Sequence, residues 1–553
     1  TLNSPCNAVI KSAVMSHNTY DIFLNYTNTF AGKHYFNAIV GFNQEDYRYN
    51  LNIMEKTDLI TTSLPSLGLA SGTPTVNEST TTWATRGAFT RLNYIYNNRY
   101  IAEFNFRRDG TSRFPKSSRW ANNPAASLGW VLCEENFFKK AKSTINHLKL
   151  RASYGTLGNQ DVSAYAYIAT MEANKNNVIL DGLQNMYVTT PGLVSGNLTW
   201  EKVATTNVGI DLNMFGNRFQ LSADYYIRDT KGMLSDALPL PSVLGTGAPK
   251  ENVADLRTKG WEFTLSWKDS FDLGSKPFNY GVNINLSDSR AKITKMIGNS
   301  QCVLPSFGNN NYFYEGMEIG AMWGYETLGL FQSAEEANNW YDQSEVQSYG
   351  TQAGDLKFND VDGDKKITKG AGTLSDHGDM QIIGNTQVRY RFGTTLTADW
   401  NGFDLRLFFQ GVLKHQFYPY WNNYSFWGLF TNGWGSETYG NGYDSWTPDN
   451  QDAYFPRLKH CQNWNTVYDW EACQTRFIQN GAYVRLKNVT FGYTLPKKVT
   501  DKIKVDRIRF FYSGDNLFTL SGLYKYSNLD PEDPTGCAYP FQRHNSFGIN
   551  ITF

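Results

Sequence analysis

A short acidic stretch carries residue types and a spacing that suit metal binding. In residues 360–372, "DVDGDKKITKGAG", three carboxylates alternate along the chain at Asp360, Asp362 and Asp364, and the backbone carbonyl of Lys366 follows at the seventh position. Calcium takes six to eight oxygen ligands, which alternating carboxylates in a tight loop supply. The spacing therefore resembles the first half of an EF-hand loop.

The second half of that loop departs from the pattern. Lys365 stands at position six, where the pattern has glycine, and Ala371 stands at position twelve, where it has glutamate. A later carboxylate, Asp376 or Asp379, must then complete the ligand shell. The sequence predicts a structural Ca²⁺ site, against the alternative of a solvated acidic loop that holds no metal. The predicted ligands are Asp360, Asp362, Asp364, Lys366 and Asp379.

Residues 418–455 are the most aromatic stretch of the chain, with tryptophan and tyrosine interleaved with asparagine and glycine. Flat rings offer apolar area at low entropic cost and amides add hydrogen bonds, so this composition favours binding of a sugar or a peptide. The alternatives are that the same rings pack the loop on itself or line a protein interface. The candidate substrate-binding residues are Tyr420, Trp421, Tyr424, Trp427, Trp434, Tyr443 and Trp446.

Two charged motifs favour structural roles over catalysis. In "RRDGTSR" (107–113), salt bridges and turn chemistry near a strand end are a better interpretation than anion binding. "LDPEDPTG" (529–536) holds three carboxylates, but Pro531 and Pro534 indicate a turn in a loop. The sequence shows neither a Ser-His-Asp arrangement nor a GxSxG or P-loop motif. We therefore expect a protein that is not an enzyme.

The composition of the 553-residue chain excludes several classes of protein. Lys and Arg number 51, as do Asp and Glu, so the basic excess needed for nucleic-acid binding is missing. No run approaches 18 apolar residues, which argues against a transmembrane helix, and the first ten residues do not resemble a signal peptide. Cys461 and Cys473 are close enough in sequence for a local disulfide, with unpaired thiols as the equal alternative.

Alternation of apolar and polar residues is the dominant pattern, and it predicts strands, because successive side chains of a strand point to opposite faces. The final residues, "NSFGINITF", place Phe547, Ile549, Ile551 and Phe553 on one face. Helical periodicity is scarce, and the best short candidate is "SAEEANNWYD" (333–342). The same alternation recurs in "RFQLSADYYIR" (218–228), "NYGVNINLS" (279–287), "VRYRFGTTLTADW" (388–400) and "FDLRLFFQG" (403–411).

The length of these segments indicates a membrane protein. Alternation persists for roughly nine to thirteen residues, the length that a tilted strand needs to cross a bilayer, and aromatic residues gather near the strand ends. A large soluble β-protein such as a propeller is the alternative, but a propeller would show a repeat. In "AYVRLKNVTFGYTL" (482–495) the apolar parity switches near Lys487–Asn488, which predicts a β-bulge or, alternatively, misplaced pairing.

The predicted fold class is all-β, a transmembrane antiparallel β-barrel with about sixteen strands in this chain. Short turns alternate with long polar segments at 51–82, 299–378 and 413–475, which we expect to be extracellular loops. Because Thr1 begins abruptly, the sequence favours a chain that starts partway round a larger barrel, with residues 1–553 as its C-terminal portion.

The chain resembles the SusC/RagA family of TonB-dependent outer-membrane transporters. The resemblance covers nearly the whole chain, and its strength is that the matching stretches follow in the family's order. They include "RRDGTSRFPKSSRWANNPAASLGWVLCEENFF" (107–138), "LKLRASYGTLGNQ" (148–160), "WEKVATTNVGIDLNMFGNRFQLSADYYIRDTKGML" (200–234), "AGDLKFNDVDGDKKIT" (353–368), "YVRLKNVTFGYTLP" (483–496) and "GDNLFTLSGLYKYSNLDPE" (514–532).

The resemblance implies a 22-stranded barrel in the outer membrane of a Gram-negative bacterium, with a plug domain, an N-terminal extension and a segment that contacts TonB. None of these N-terminal parts is recognised here, so about six strands and the plug are expected upstream. The resemblance also implies a SusD-like lipoprotein that caps the barrel from outside.

The resulting hypothesis is an active, TonB-dependent importer of nutrient oligomers, either glycans or peptides. A passive porin or a barrel enzyme is the first alternative, and a soluble carbohydrate-binding β-protein is the second. An enzyme should carry a catalytic cluster, and a soluble protein should bury the apolar side of its strands in a dry centre.

Overall fold

The computed structural model describes most of the chain, and strands dominate it. The described residues are 6–180, 182–236, 243, 245–247, 249–305, 312–348, 350–419, 423–427, 444–458, 472–525, 529–534 and 541–553.

The strands among these residues are numbered in chain order. They are β1 (Asn7–Phe30), β2 (His34–Thr57), β3 (Pro74–Tyr96), β4 (Tyr100–Thr111), β5 (Trp120–Val131), β6 (Ile145–Asn159), β7 (Ala173–Leu180), β8 (Leu183–Val188), β9 (Glu201–Met214), β10 (Phe219–Asp236), β11 (Lys250–Leu273), β12 (Lys276–Met296), β13 (Ala321–Gly324), β14 (Thr327–Leu330), β15 (Leu356–Phe358), β16 (Gln381–Asn385), β17 (Arg389–Trp400), β18 (Phe403–Lys414), β19 (Gln416–Phe417), β20 (Gln479–Asn480), β21 (Tyr483–Thr494), β22 (Arg507–Ser521) and β23 (His544–Thr552).

Helices are short. Ser333 caps α1 because its hydroxyl accepts a hydrogen bond from the Glu336 backbone. The helix predicted in 333–342 is therefore present, but it covers only Ala334–Asn338. In the described part of the chain, no helix is both long and apolar enough to span a bilayer. The α-helices are α1 (Ala334–Asn338), α2 (Tyr424–Trp427) and α3 (Lys497–Thr500), and 3₁₀ turns lie at Leu67–Leu69, Leu132–Glu134, Asn136–Phe138, Thr475–Phe477, Asp501–Ile503 and Gly522–Lys525.

Fifteen strands form one sheet, close to the sixteen expected, in the order β1-β2-β3-β4-β5-β6-β9-β10-β11-β12-β17-β18-β21-β22-β23. Neighbours that follow one another in sequence pair antiparallel, as in β1 and β2, which run from Asn7↔Thr57 to Phe30↔His34. The remaining strands form two-stranded sheets within the longer connections. The predicted antiparallel all-β class is therefore confirmed.

Tight turns and long connections alternate along this sheet. Asn401 and Gly402 join β17 to β18 with φ of 52° and 89°, which is the left-handed backbone that two-residue hairpins require. Gly274 and Ser275 join β11 to β12 in the same way, with φ of 59° and 62°. By contrast, residues 297–388 separate β12 from β17. The two ends of the strands thus differ in how much chain they carry.

Several strands are longer than the sequence predicted, and the predicted loop at 51–82 is wrong in its bounds. β1, β2 and β11 each contain 24 residues. Half of 51–82 belongs to β2 and β3, and only residues 58–73 connect them. Polar side chains extend this ladder, because the Asn50 amide donates to Glu78 Oε1 at 2.8 Å and to Thr80 Oγ1 at 2.9 Å across the two strands.

The chain divides into two compact units, each with its own buried core. The first contains Thr1–Trp130, Arg151–Thr206 and Arg228–Asp255, and its core gathers Phe114, Ala121, Val162, Leu198 and Trp200. The second contains Val131–Leu150, Asn207–Ile227 and Leu256–Phe553. Its larger core, called the loop core below, includes Leu356, Phe358, Ile367, Phe426, Trp427, Trp446, Phe455 and Phe477. A smaller one gathers Ile293, Leu304, Tyr314, Met317 and Trp323.

In the second unit the sheet has an apolar face and a polar face. The apolar face carries Phe263, Ile284 and Leu286, while the polar face carries Thr264 and Asn285, whose side chains are hydrogen-bonded at 2.7 Å. A dry centre would bury the apolar face, and it is not buried. The side chains that decide this are all partly exposed, namely Phe219, Leu221, Ile284, Leu405 and Leu407.

In the last strand the apolar side chains are exposed as well. Phe547 in β23 is 83% exposed, and Ile549 and Ile551 are exposed beside it. β21 contains the predicted bulge, because Leu486 pairs with Phe409 and Asn488 pairs with Phe408, which leaves Lys487 as the extra residue.

Candidate functional site

The structure brings together three of the predicted metal ligands. Carboxylate oxygens of Asp360, Asp362 and Asp379 all lie within 4.8 Å of one another. Asp379 is fully buried, and its two oxygens accept hydrogen bonds from the backbone N–H groups of Val361 at 2.7 Å and Thr368 at 2.8 Å. Residues 360–379, called the acidic loop below, thus fold back so that the later carboxylate joins the first two.

The departure at position six of this loop does not prevent the expected turn. Lys365 adopts a left-handed backbone with φ of 67°, the conformation for which glycine is usually selected. The Asp360 carboxylate stabilises this turn, because its oxygens accept from Gly363 N at 2.7 Å and Lys365 N at 3.0 Å. The backbone of the acidic loop therefore follows the predicted geometry despite the lysine.

The other two predicted ligands are placed differently. Asp364 is not one of the three grouped carboxylates, and its Oδ1 accepts from Lys366 N at 2.7 Å. Lys366 pairs in an isolated parallel bridge with Asp342, and the neighbouring Ile367 N donates to the Asp342 carbonyl at 2.7 Å. The donor set is made of hard oxygen atoms, which suits calcium and similar cations.

Two of the seven aromatic candidates are packed inside the protein. Trp427 is 2% exposed, its Nε1 donates to the Pro419 carbonyl at 3.1 Å, and its ring lies 4.8 Å from that of Phe477. Trp446 is 9% exposed and its Nε1 donates to Gln332 Oε1 at 3.4 Å. Both rings belong to the loop core, as in the packing alternative for this stretch.

For the other aromatic candidates a substrate contact stays a prediction. Tyr424 opens α2. Four lie outside the described residues, namely Tyr420, Trp421, Trp434 and Tyr443.

A charge cluster that sequence reasoning missed lies on the polar face at β21. Arg485 is 2% exposed, and its guanidinium donates to Asp530 Oδ2 at 2.7 Å, Glu532 Oε1 at 2.8 Å and Thr519 Oγ1 at 2.8 Å. The bulged Lys487 reaches the same Glu532 at 2.9 Å. The motif at 529–536 was interpreted as a turn, and Asp533 N does donate to Asp530 O at 3.0 Å. Its carboxylates nevertheless face a buried arginine on the sheet.

A pocket of about 700 Å³ adjoins this cluster within the second unit. Glu532 forms part of its wall, and polar-face side chains from neighbouring strands supply hydrogen-bonding groups. Burial lowers the pKa of the lining His415, so its imidazole is neutral at physiological pH. The pocket therefore offers amide, carboxylate, guanidinium and phenol groups, and of its two carboxylates Glu532 is already paired with Arg485 and Lys487. These groups come from Glu262, Asn285, Arg391, Gln410 and Tyr483.

The first charged motif has the structural role expected for it. Arg107 Nε lies 2.6 Å from Asp109 Oδ1 near the end of β4. Arg113 Nη1 donates to the Val162 carbonyl at 2.7 Å, and its guanidinium lies 5.1 Å from the centre of the Trp83 ring. These contacts tie the connection after β4 to its neighbours within the first unit.

Free thiols occupy the described cysteine positions. Cys473 carries a free, buried thiol beside the loop core, and burial raises its pKa to about 12. Cys461, the partner considered for a disulfide, lies outside the described residues.

Comparison with known proteins identifies the family. The family model described as "TonB dependent receptor-like, beta-barrel" matches residues 7–517. The chain is 28% identical over 518 residues to TonB-dependent receptor P3 of Formosa agariphila, covering 92% of this chain and 48% of that protein. It is 28% identical over 488 residues to TonB-dependent receptor SusC of Bacteroides thetaiotaomicron, covering 86% of this chain and 44% of that protein.

A solved structure shares the fold. It is the structure of the RagAB peptide transporter, with a TM-score of 0.77 and 20% identity, covering 99% of this chain and 56% of that one. The chain spans about half the length of the curated relatives it matches. The resemblance to the SusC/RagA type is confirmed, and with it the outer-membrane location. The extent of the family match shows that this chain belongs to the TonB-dependent receptor-like β-barrels.

Proposed function

We propose that this chain is the barrel part of an active importer that takes nutrient oligomers, glycans or peptides, across the outer membrane. The observation that carries the proposal is the two-faced sheet, whose apolar side chains remain partly exposed while its polar face lines a pocket of about 700 Å³. An exposed apolar face suits lipid, and a polar face suits an aqueous path. The likeness to a protein named SusC and to a peptide transporter supports import.

The pocket chemistry suits an uncharged or mixed oligomer. Asn285 and Gln410 each offer an amide donor and acceptor, and Arg391 and Glu262 add one charge of each sign. These groups can bind either sugar hydroxyls or peptide groups, because both kinds of ligand need hydrogen-bond donors and acceptors together. Energy would come from the inner membrane through TonB, acting on the part of the transporter that carries a plug.

We propose a SusD-like lipoprotein as the external lid. The support is the SusC/RagA type of the family, together with a long connection between β18 and β21 that is rich in aromatic residues. Part of that connection is held by the loop core through Phe426, Trp427 and Phe455. A rigid base of this kind suits a surface on which a second protein docks.

We further propose that the acidic loop holds Ca²⁺ in a structural role. Asp360, Asp362 and Asp379 would bind the ion, because their oxygens already converge. The ion would offset the mutual repulsion of three carboxylates and fix the loop beside β16, which begins two residues after Asp379.

Binding measurements on the purified protein test the substrate proposal. Calorimetry with a panel of oligosaccharides and oligopeptides should find a ligand in one of the two classes. The double variant Asn285→Leu/Gln410→Leu should then weaken that ligand about tenfold or more, because each lost amide hydrogen bond costs about 1 kcal/mol. Ile284→Leu, on the apolar face of the same strand, is the matched control and should bind as the unsubstituted protein does.

The transport step has a separate test. Uptake of the identified ligand by cells should fall to background when TonB is deleted. Uptake that persists without TonB would instead show a passive pore, and a ligand unaffected by the double variant would show that the pocket is not on its path.

A further inference from the structure

One surface of the second unit changes from apolar to basic along two neighbouring strands. On β11, Trp261 and Phe263 share the apolar face, with their rings stacked at 5.9 Å between centroids. Further toward the start of β11, the same face carries Arg257 and Lys259, both exposed. Arg257 and Lys259 are charged, whereas residues that face lipid are apolar. The apolar face of β11 therefore ends between Lys259 and Trp261.

β12 repeats the change at its other end. Ile284 and Leu286 belong to its apolar face, and continuing in steps of two residues leads to Asp288, Arg290 and Lys292. Because β11 and β12 are antiparallel neighbours, the start of one lies beside the end of the other. The basic residues of the two strands therefore meet at one level of the sheet.

A cavity of about 780 Å³ lies where they meet, on the face opposite to the polar pocket. The polar pocket is lined on β12 by Asn285 and Ser287 with Leu286 between them, whereas the charged residues of β12 at this cavity, Asp288, Arg290 and Lys292, continue the even-numbered positions of the apolar face. The residues that define this basic cavity are Arg257, Lys259, Trp261, Arg290, Lys292 and Tyr390.

The charges around the basic cavity do not cancel. Five basic side chains line it against the three carboxylates of Asp288, Glu315 and Glu318. Asp288 is engaged by a bidentate contact from Arg389, both groups being largely buried. Glu318 lies 4.0 Å from the exposed Arg290, a loose contact in solvent. The cavity thus retains a basic excess that suits an anion.

Its rim is held in an unusual backbone conformation. Tyr390 has φ of 53°, a left-handed conformation that is rare for a bulky residue. The Tyr390 N–H donates to Asp288 Oδ1 at 3.4 Å, and the Arg389 guanidinium lies 5.2 Å from the centre of the Tyr390 ring. These contacts bring an aromatic ring to the cavity at the boundary between the apolar and basic levels.

The connections identify the end of the strands. The turn between β11 and β12 is two residues long, whereas the cavity lies at the opposite end, where residues 297–388 follow β12. In outer-membrane barrels the short turns are periplasmic and the long loops are extracellular. The basic cavity therefore lies at the level of the outer leaflet, with apolar strand surface below it and aromatic rings at the interface.

We propose that the basic cavity binds the phosphate group of a phosphorylated lipid of the outer leaflet, with the lipid chains lying on the apolar face beneath. Lys259 and Lys292 act as point charges on the phosphate, and Trp261 sits at the depth of the headgroup. The site is distinct from the path of the imported oligomer because it lies on the other face of the sheet. It depends on the membrane location and not on the identity of the substrate.

Lipid binding by the detergent-purified protein tests the site, with diphosphorylated lipid A as the probe. The variant Lys259→Gln/Lys292→Gln should weaken binding by about twenty-five-fold, since each basic residue beside an anionic headgroup contributes roughly fivefold. Lys295→Gln, an exposed lysine three residues along β12 and on the other face, is the matched control and should bind unchanged. Lipid A stripped of both phosphates should bind the unsubstituted protein as weakly as the intact lipid binds the double variant.

Three results would overturn the proposal. Equal binding of intact lipid A by the double variant and the unsubstituted protein would show that the cavity is not used. Undiminished binding of the dephosphorylated lipid would show that the acyl chains alone are recognised. Displacement of the lipid by inorganic phosphate at equal concentration would show a site for free phosphate instead. Circular dichroism of each variant confirms that its strands are intact, and the import assay keeps this test separate from the proposed function.

Discussion

Arg485 and Glu532 lie 2.8 Å apart between Nη1 and Oε1, and the guanidinium is almost completely buried. The contact joins the start of β21 to the segment at 529–534, which lies in the connection between β22 and β23. Asp530 shares the same guanidinium at 2.7 Å. One side chain on the sheet therefore fastens a loop that sequence reasoning treated as an isolated turn.

Replacing Arg485 by Ala should destabilise this region by about 3–5 kcal/mol, because two largely buried carboxylates then lose their cation. Urea unfolding followed by fluorescence measures the loss, and limited proteolysis should show new cleavage near residues 529–534. Lys487→Gln is the control and should cost less, because Lys487 is 26% exposed and contacts only one of the two carboxylates. Equal costs for the two variants would contradict the anchoring role of Arg485.

Calcium should raise the thermal stability of the purified protein if the acidic loop binds it. At a concentration one hundred times the dissociation constant, the gain is about 2.7 kcal/mol. Differential scanning calorimetry with calcium and then with a chelator measures it. Asp379→Asn should abolish the response, since this carboxylate is fully buried and closes the group.

Asp364→Asn provides the comparison for that experiment. Its carboxylate is outside the group of three, so the calcium response should be largely retained. A melting temperature that does not change with calcium would favour the alternative of a solvated acidic loop. The same conclusion would follow if both variants lost the calcium response equally.

The Cys473 thiol should resist alkylation in the folded protein. Burial raises its pKa to about 12, so at pH 8 only about one thiol in ten thousand is the reactive thiolate. Variants that retain a single cysteine, either Cys473 or the exposed Cys6, can be compared with a maleimide and mass spectrometry. Cys6 should react within minutes and Cys473 only after unfolding. Similar rates for the two would show that Cys473 is accessible.

The pair formed by Glu336 and Lys357 should weaken in acid. The Lys357 ammonium at 2.7 Å, followed by the Gln332 backbone N–H, lowers the pKa of the Glu336 carboxyl. Because the pKa of the Glu336 carboxyl is lower in the folded protein than in the unfolded chain, its ionisation stabilises the folded state at pH values above the unfolded pKa. This stabilisation is lost as the pH falls through the pKa of the folded protein. The side chains are partly exposed, so about 0.5–1 kcal/mol is expected.

The variant Glu336→Gln measures that contribution. The difference in unfolding free energy between the two proteins should be present at pH 7 and should shrink between about pH 5 and about pH 3. A difference that stays constant over this range would show that hydrogen bonding, and not charge, accounts for the pair.

The strands were predictable because alternation is a local property of the sequence. β23 and the parity switch at Lys487 both follow from side chains within a few residues of one another. The length of β2 and β3 was not predictable from the sequence. Where these strands pair beyond the apolar segments, they are held by polar pairs such as Asn50 and Glu78, and polar residues of this kind are also typical of loops. Strand pairing that rests on polar side chains thus carries no hydrophobic pattern in the sequence.

The candidate site was only partly predictable, for a related reason. The acidic loop brings its carboxylates together within twenty residues, and spacing alone indicated them. Arg485 and Asp530 are 45 positions apart, and Arg457 contacts Asp355 across 102 positions. Contacts at such separations depend on which strands and loops become neighbours, and a single sequence does not specify that.

The bulge in β21 has a consequence for single-residue length changes. Deleting Lys487 would restore strict two-residue steps among the apolar residues of β21, which are Val484, Leu486, Val489 and Phe491. The shortened strand would therefore keep all four of these side chains on the apolar face. The bulged Lys487 therefore contributes only to the polar face, where its ammonium group donates a hydrogen bond to Glu532. A shorter strand would keep the wall of the barrel and lose a cation from its interior.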